Sequence, residues 1–343
     1  MEFAPLTFTT NLMSTILSQN YSPAISAIVT LLLTLILILK SNGAVQDIPN
    51  ERSLHTVPVP RTGGIALMSG LFSGWILLNQ FWTWWVVLPA FGLFVLSFLD
   101  DIRKLTPLTR LIGHFIAALI VVSGADISLL MIIPVLLFIV WMTNLYNFMD
   151  GSDGLAGGMA LFGFGSYGVG AWLGGNEMFA LLNFSVASAA FGFLVFNFHP
   201  AKVFMGDAGS IPLGFLAATL GVWGWQSNYW PFWFPLLVFS PFVADATITL
   251  LKRAHRGEKL SQAHRSHYYQ RLVLMGWGHR NTAIAEYILM VSAGLSALWG
   301  LGLKHAAQGY LLLGWAIVYL ALMAWIDKHW REYKFKEKKT ADA

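Results

Sequence analysis

Five aspartates stand at three places where apolar runs of the chain end: Asp100 and Asp101 in SFLDDIRKL, Asp150 and Asp153 in NFMDGSDGLAGG, and Asp207 in KVFMGDAGS. Carboxylate oxygens are hard ligands suited to Mg²⁺, which keeps several waters and is usually held by one or two carboxylates together with substrate phosphates. Arg103, Lys104, Arg110 and Lys202 lie near the same acids in sequence and complement phosphate oxygens. Carboxylates beside cations suit a pyrophosphate, because phosphoryl transfer asks a protein mainly for positioning and charge neutralisation. Adjacent helical residues point about 100° apart, so Asp100 and Asp101 are expected to have different jobs. The glycines of NFMDGSDGLAGG break helical continuity and allow Asn147, Asp150 and Asp153 to converge from a re-entering backbone. In GDAGSIPLG, a helix beginning near Ser210 would turn its open N–H groups and positive end toward an anion, with Asp207 beside it as a metal ligand. Taken singly, each acid could be a solvated headgroup-level residue, and Gly206 and Gly209 simple turn residues. Three acidic motifs with neighbouring glycines or cations fit that reading poorly.

The elements that must position these residues are membrane spans. Of 343 residues, 56% are hydrophobic and 11% charged, against roughly 25% charged in soluble domains. About eleven apolar runs approach the length of about 20 residues that crosses a bilayer. They lie near 21–40, 63–80, 84–99, 108–123, 127–146, 155–174, 178–198, 210–228, 230–250, 283–302 and 308–326. The expected fold is an all-α polytopic membrane protein forming one domain over 1–343, with the N-terminus outside and the C-terminus cytoplasmic. That orientation follows from the cations: 20 of the 21 Lys and Arg fall in alternate breaks or the C-terminal tail, Lys304 being the exception. The acidic motifs share that side, so active-site loops are expected near 41–62, 100–110, 146–158, 199–210 and 251–282. The basic tail needs only anionic headgroups as its partner, and no nucleic acid. The first twenty residues lack the features of a cleaved signal peptide. Absence of cysteine removes disulfides and thiolate metal sites.

The order DD-x-x-K (Asp100, Asp101, Lys104), N-F-x-D-G-x-D-G-L-A (Asn147 to Ala156) and F-M-G-D-x-G-S (Phe204 to Ser210) resembles the polyprenyl-phosphate N-acetylhexosamine-1-phosphate transferases, the MraY and WecA group. DIPNERSLHTVPVPRTGGIA (Asp47 to Ala66) resembles that family's first cytoplasmic loop. The resemblance implies that a polyprenyl (undecaprenyl) phosphate attacks a UDP-N-acetyl amino sugar, releasing UMP and starting a lipid-linked glycan such as O-antigen, capsule or cell-wall polymer. Carried over, it implies Asp207 and Asp101 at a Mg²⁺ (or Mn²⁺) site and Asp100 orienting or deprotonating the lipid phosphate. Asp150 joins these acids as a catalytic candidate, while Asn147 and Asp153 line the uridine and diphosphate pocket. Lys104 and Lys202 are expected on phosphate. It further implies a multi-pass protein of the bacterial cytoplasmic membrane, its active site facing the cytoplasm, with a homodimer left open.

One loop departs from the family. Where an H-x-H-H pattern is usual, AHRSHYYQRL keeps His267 and carries Tyr269 and Gln270 instead of the next two histidines. The variant resembles the branch that handles 6-deoxy-amino sugars, and His264, Arg265 and His267 are expected to contact substrate. In the ninth run Pro231, Pro235 and Pro241 predict a kink that could open a groove for a prenyl tail, and Asp245 is expected to pair with Lys252 or Arg253. Trp82, Trp84, Trp85 and Trp230 occupy positions expected of an interfacial belt. The rival reading from another class is a secondary transporter with an intramembrane acidic site, which predicts midplane carboxylates and internal symmetry that the sequence lacks. A CDP-alcohol phosphotransferase would need Arg at Gly157. Calcium binding by DGSDG lacks the rest of its loop.

Overall fold

The computed structural model describes residues 19–40, 46–49, 53–79, 83–259 and 264–341. Trp82 and the first eighteen residues lie outside the described residues, as do parts of the 41–62 and 251–282 loops. Every apolar run becomes helix. In chain order these are α1 (Ser22–Leu39), α2 (Gly63–Leu77), α3 (Trp84–Arg103), α4 (Pro107–Gly124), α5 (Ile132–Phe148), α6 (Leu155–Leu173), α7 (Glu177–Asn197) and α8 (Asp207–Gln226). The ninth run is broken into α9 (Trp233–Val238) and α10 (Ser240–His255), with Pro241 in the first turn of the second piece. The prolines therefore produce the expected interruption, since each removes a backbone donor. A five-residue turn of helix, α11 (Tyr268–Leu272), leads into α12 (Gly278–Gly300) and α13 (His305–Ala341). Eight helices among the described residues are long and apolar enough to cross a membrane.

The packing inverts the pattern of a soluble bundle. Helix α1 buries Ser22, Ser26, Thr30 and Thr34 at a four-residue spacing and exposes Ile28, Leu32, Ile36 and Leu39. Its hydroxyl stripe meets Gly70 and Gly74 of α2, where any Cβ would collide with Thr30 Oγ1 or Ser26 Oγ. Lipid tails are as apolar as leucine, so close approach of small residues, rather than leucine burial, holds such helices together. Helix α8 runs through the middle, buried almost continuously from Ala208 to Val222. It packs on α3 and α5 and carries the Asp207 motif at its first turn. Trp230 is 3% exposed, packs among Tyr167, Phe179 and Phe234, and donates to Gly221 O. Its ring thus faces protein, whereas Trp84 is exposed.

Two features fasten the first loop to α8. Gln46–Asp47 (β1) pairs antiparallel with Val59–Pro60 (β2), and Pro60 O then accepts from Phe204 N. Gly63 N and Gly64 N donate to Phe204 O and Met205 O. A Cβ on Gly64 would lie 2.4 Å from Gly209 N, so the starts of α2 and α8 touch backbone to backbone.

Candidate active site

Helix α8 begins at Asp207, one turn earlier than the sequence suggests, after Gly206 at φ +68°. That left-handed backbone strongly favours glycine. The open N–H groups at this helix start already have an anion: Asp101 Oδ2 accepts from Ala208 N at 3.1 Å and Oδ1 from Asp207 N at 3.4 Å. Asp101 thus caps α8 and fixes the backbone that carries Asp207. Asp100, one residue earlier and turned aside, accepts from Leu105 N at 2.5 Å and meets Arg110 Nη1 at 3.3 Å. The same Arg110 Nη1 lies 3.4 Å from Asp207 Oδ2. The two neighbours do have different jobs: one holds a helix start, the other an arginine.

The stretch from Asn147 to Gly154 is secured from below. Gly154, at φ +75°, donates to Asn197 Oδ1, and Asn197 Nδ2 donates to Val203 O, tying the loop to the segment that precedes α8. Asn147 Oδ1 accepts from Ser210 Oγ at 2.8 Å. Asp153 faces two histidines, His199 Nδ1 at 2.6 Å and His279 Nδ1 at 3.7 Å, and accepts from Ala201 N. Asp150 stands apart. Among the described residues no hydrogen bond reaches its side chain, and burial together with the charge of Asp207 holds its carboxyl well above the usual range.

These groups open into one cavity of about 280 Å³. Asn147, Asp150, Asp153, Asp207 and His264 line it, so five of the expected site residues meet at one place. Asp100 and Asp101 stand behind Asp207, through Arg110 and the α8 backbone. Lys104, Lys202 and Arg265 are exposed and do not line the cavity. The nearest arginines are instead Arg61, on the wall, and Arg110 beside Asp207. Arg61 Nη2 is 3.2 Å from Asp47 Oδ2, and His55 Nε2 is 3.8 Å from the same oxygen. This trio comes from the loop whose resemblance to the family was visible without any single residue standing out. His279, at the start of α12, receives Ser152 Oγ at 2.8 Å and reaches Leu54 O at 3.1 Å. Nothing local in GHRNT marks it.

The variant loop divides in the same way. His264 lines the cavity, and burial with the neighbouring His267 and Arg253 lowers its pKa to about 4, so the ring is neutral near pH 7. His267 is 2% exposed and caps α11 while meeting Asp245 at 3.1 Å. Asp245 also accepts from Tyr268 N, Tyr269 N and Thr249 Oγ1. The expected pairing with Lys252 or Arg253 is thereby corrected: Lys252 bonds Asp327 and Arg253 bonds Glu258. Most donors of this buried carboxylate come from α11, as two backbone N–H groups and the His267 ring that caps it, and only Thr249 comes from its own helix.

No group of three or more His, Cys, Asp or Glu side chains among the described residues forms a ready metal centre. The donor chemistry still fits a hard divalent cation. Asp150 and Asp207 share one cavity and repel each other, with Asp101 and Asp47 adding to the same field. Mg²⁺ ordinarily takes only one or two carboxylates and completes its shell with water and substrate oxygens.

Comparison with known proteins settles the family. The profile of glycosyl transferase family 4 matches residues 83–224, from the start of α3 to the end of α8. A probable undecaprenyl-phosphate N-acetylglucosaminyl 1-phosphate transferase of Bacillus subtilis is 31% identical over 277 residues, covering 75% of this chain and 77% of the relative. The chain belongs to glycosyl transferase family 4. A decaprenyl-phosphate N-acetylglucosaminephosphotransferase of Mycolicibacterium smegmatis is 28% identical, covering 70% of this chain and 71% of its own. A phospho-N-acetylmuramoyl-pentapeptide-transferase of Anoxybacillus flavithermus is 35% identical over a shorter stretch, 48% of this chain and 60% of the relative. Within the family profile fall Asp100, Asp101, Asn147, Asp150, Asp153 and Asp207, while Asp47, Arg61, His264 and His279 lie outside it.

Proposed function

We propose that the chain transfers an N-acetylhexosamine 1-phosphate from its UDP-sugar to a polyprenyl phosphate in the membrane, releasing UMP and starting a lipid-linked glycan. The observation that carries this is the cavity in which Asp150 and Asp207 stand together with Arg61 and Asn147, at the ends of apolar helices. The named relatives act on undecaprenyl or decaprenyl phosphate.

Asp207, with Asp150, would hold Mg²⁺ or Mn²⁺, which would supply charge neutralisation at the diphosphate. Around it the chain's own groups have separate tasks. Asp101 positions Asp207 through the α8 backbone, and Arg110, shared by Asp100 and Asp207, fixes the carboxylate's direction. Arg61 would face the diphosphate as a fixed cation, oriented by Asp47. Asn147 is held by Ser210 and would keep its amide N–H for uridine or phosphate oxygen. Asp100, expected to orient or deprotonate the lipid phosphate, stands behind Asp207 and would act through the Arg110 they share. The neutral His264 and Gln270 would offer hydrogen bonds to the sugar without adding charge.

The distribution of cations supports a site facing the cytoplasm, and we read the membrane as a bacterial cytoplasmic membrane. Purified protein in detergent, given undecaprenyl phosphate, Mg²⁺ and a panel of UDP-sugars that includes N-acetylglucosamine and 6-deoxy-amino sugars, should release UMP and form a new lipid-linked sugar phosphate. Failure with every donor, in a folded preparation, would overturn the reading.

A further inference from the structure

A second and larger cavity, of about 830 Å³, lies between α10 and α13 and shares no lining residue with the first. The two helices run in the same sense beside it: Ser240 Oγ meets Tyr319 OH at 2.6 Å near one end, and Lys252 Nζ meets Asp327 Oδ2 at 2.5 Å near the other. Along both helices the lining changes in the same direction. Helix α10 passes from Ile248 and Leu251 to Lys252, His255 and Arg256, and α13 from Leu320 and Met323 to Asp327, Trp330 and Arg331. Leu251 and Leu320 are more than half exposed, so the apolar end is open at the side. At the polar end Lys252, Arg256, Arg271 and Arg331 bring four fixed cations against a single carboxylate, Asp327.

Asp327 is already shared by Lys252 and Arg271, the latter at 2.7 Å. Arg271 is further held over the Tyr268 ring at 4.7 Å. Among the described residues, the ion pair of Arg256 is a long exposed contact to Glu258, at 3.7 Å, and Arg331 Nε reaches the backbone oxygen of Asp327. The excess of positive charge therefore gathers at the mouth, where the apolar lining ends. A slot that is apolar and laterally open at one end and cationic at the other matches one shape of ligand.

We propose that this groove binds an anionic membrane phospholipid, its phosphate headgroup at Arg256 and Arg331 and its acyl chains along Leu251 and Leu320. An acyl chain alone would not need the cations, and a soluble phosphate would not need the open apolar end. Each basic side chain near a membrane surface favours an anionic lipid appreciably, so the pair should give a preference of about tenfold or more.

The test uses the purified full chain in detergent, with phosphatidylglycerol or phosphatidylcholine titrated in and retention read by native mass spectrometry. The parent should retain phosphatidylglycerol about tenfold more tightly. The double variant Arg256→Gln/Arg331→Gln changes exposed side chains and should lose that preference while keeping its thermal unfolding midpoint. Lys338→Gln/Lys339→Gln removes the same charge at the far end of α13 and should keep it. Millimolar inorganic phosphate should not displace the lipid. Equal retention of the two lipids by the parent, a preference that survives in the groove variant, equal loss in the tail variant, or displacement by inorganic phosphate would each overturn the proposal. So would retention of undecaprenyl phosphate alone.

Discussion

Two sets of aspartates, Asp245 and Asp327 within helices and Asp150 and Asp207 at helix ends, are treated oppositely. Asp245 is surrounded by donors: two backbone N–H groups, a threonine hydroxyl and His267. Asp327 likewise receives Lys252, Tyr268 and Arg271. Asp150 has no hydrogen-bond partner among the described residues and faces the charge of Asp207, which itself shares one arginine with Asp100. All four are aspartates, and what sets the two pairs apart is the supply of donors. A fold that satisfies one carboxylate fully and leaves another in a repulsive field that Arg61 relieves only in part has assigned the first to structure and kept the second for a ligand.

The largest effect expected from this contrast is on folding. Asp245→Ala strips four donors of their acceptor and should cost about 3 kcal/mol, seen as a lowered unfolding midpoint and loss of monodisperse protein. A variant with the parent's midpoint would mean that the Asp245 cluster holds nothing. Next comes Asp101→Asn, which keeps an acceptor oxygen for the α8 start but weakens the hold on Asp207. Turnover should fall about 10- to 100-fold, as for groups that orient a ligand-binding side chain, with the midpoint little changed. Loss as complete as that of an Asp207 variant would make Asp101 a direct ligand instead.

How much of this was legible in sequence follows from distance along the chain. The span ends, the break at Pro241 and the gathering of Asn147, Asp150 and Asp207 are written locally, in apolar length, proline and glycine. The partner of Asp101 lies 106 residues away and that of Asp245 on a helix of five residues, and neither can be read from neighbours in sequence. Lys104 and Lys202 looked like phosphate ligands because they adjoin the acids, yet Lys104 ends α3 in the left-handed region and both are exposed. Arg61 reaches the cavity only because β1 and β2 pair and dock on Phe204. The family pattern around His267 is altered at residues that have structural tasks, with Tyr269 OH donating to Phe148 O and Gln270 completing the α11 cap.

A smaller effect concerns stability and pH in the absence of metal. Asp150 binds its proton more tightly folded than unfolded, so the folded state loses stability as pH rises from the ordinary carboxylate value toward the raised one. Asp150→Asn removes that penalty. In EDTA its midpoint should exceed the parent's by about 2 °C or more at pH 8 and by less at pH 5, and added Mg²⁺ should narrow the gap. An advantage independent of pH would contradict the raised proton affinity of Asp150. Smallest of all, His264→Gln should leave the shape of the pH profile between 5 and 8 unchanged, because the ring is already neutral there. A limb that disappears in the variant would show that the ring titrates during turnover.

The central claim is that Asp150 and Asp207 on the cavity wall, rather than the carboxylates with full sets of donors, carry the transfer. It is tested most directly by UMP release per folded molecule in the parent and in Asp207→Asn, with undecaprenyl phosphate, the best donor of the panel, and Mg²⁺ removed and restored. The account predicts turnover in the parent that EDTA abolishes and Mg²⁺ restores, and a loss of about 10³-fold in the variant at an unchanged unfolding midpoint. Near-parental, Mg²⁺-dependent turnover in Asp207→Asn would contradict it.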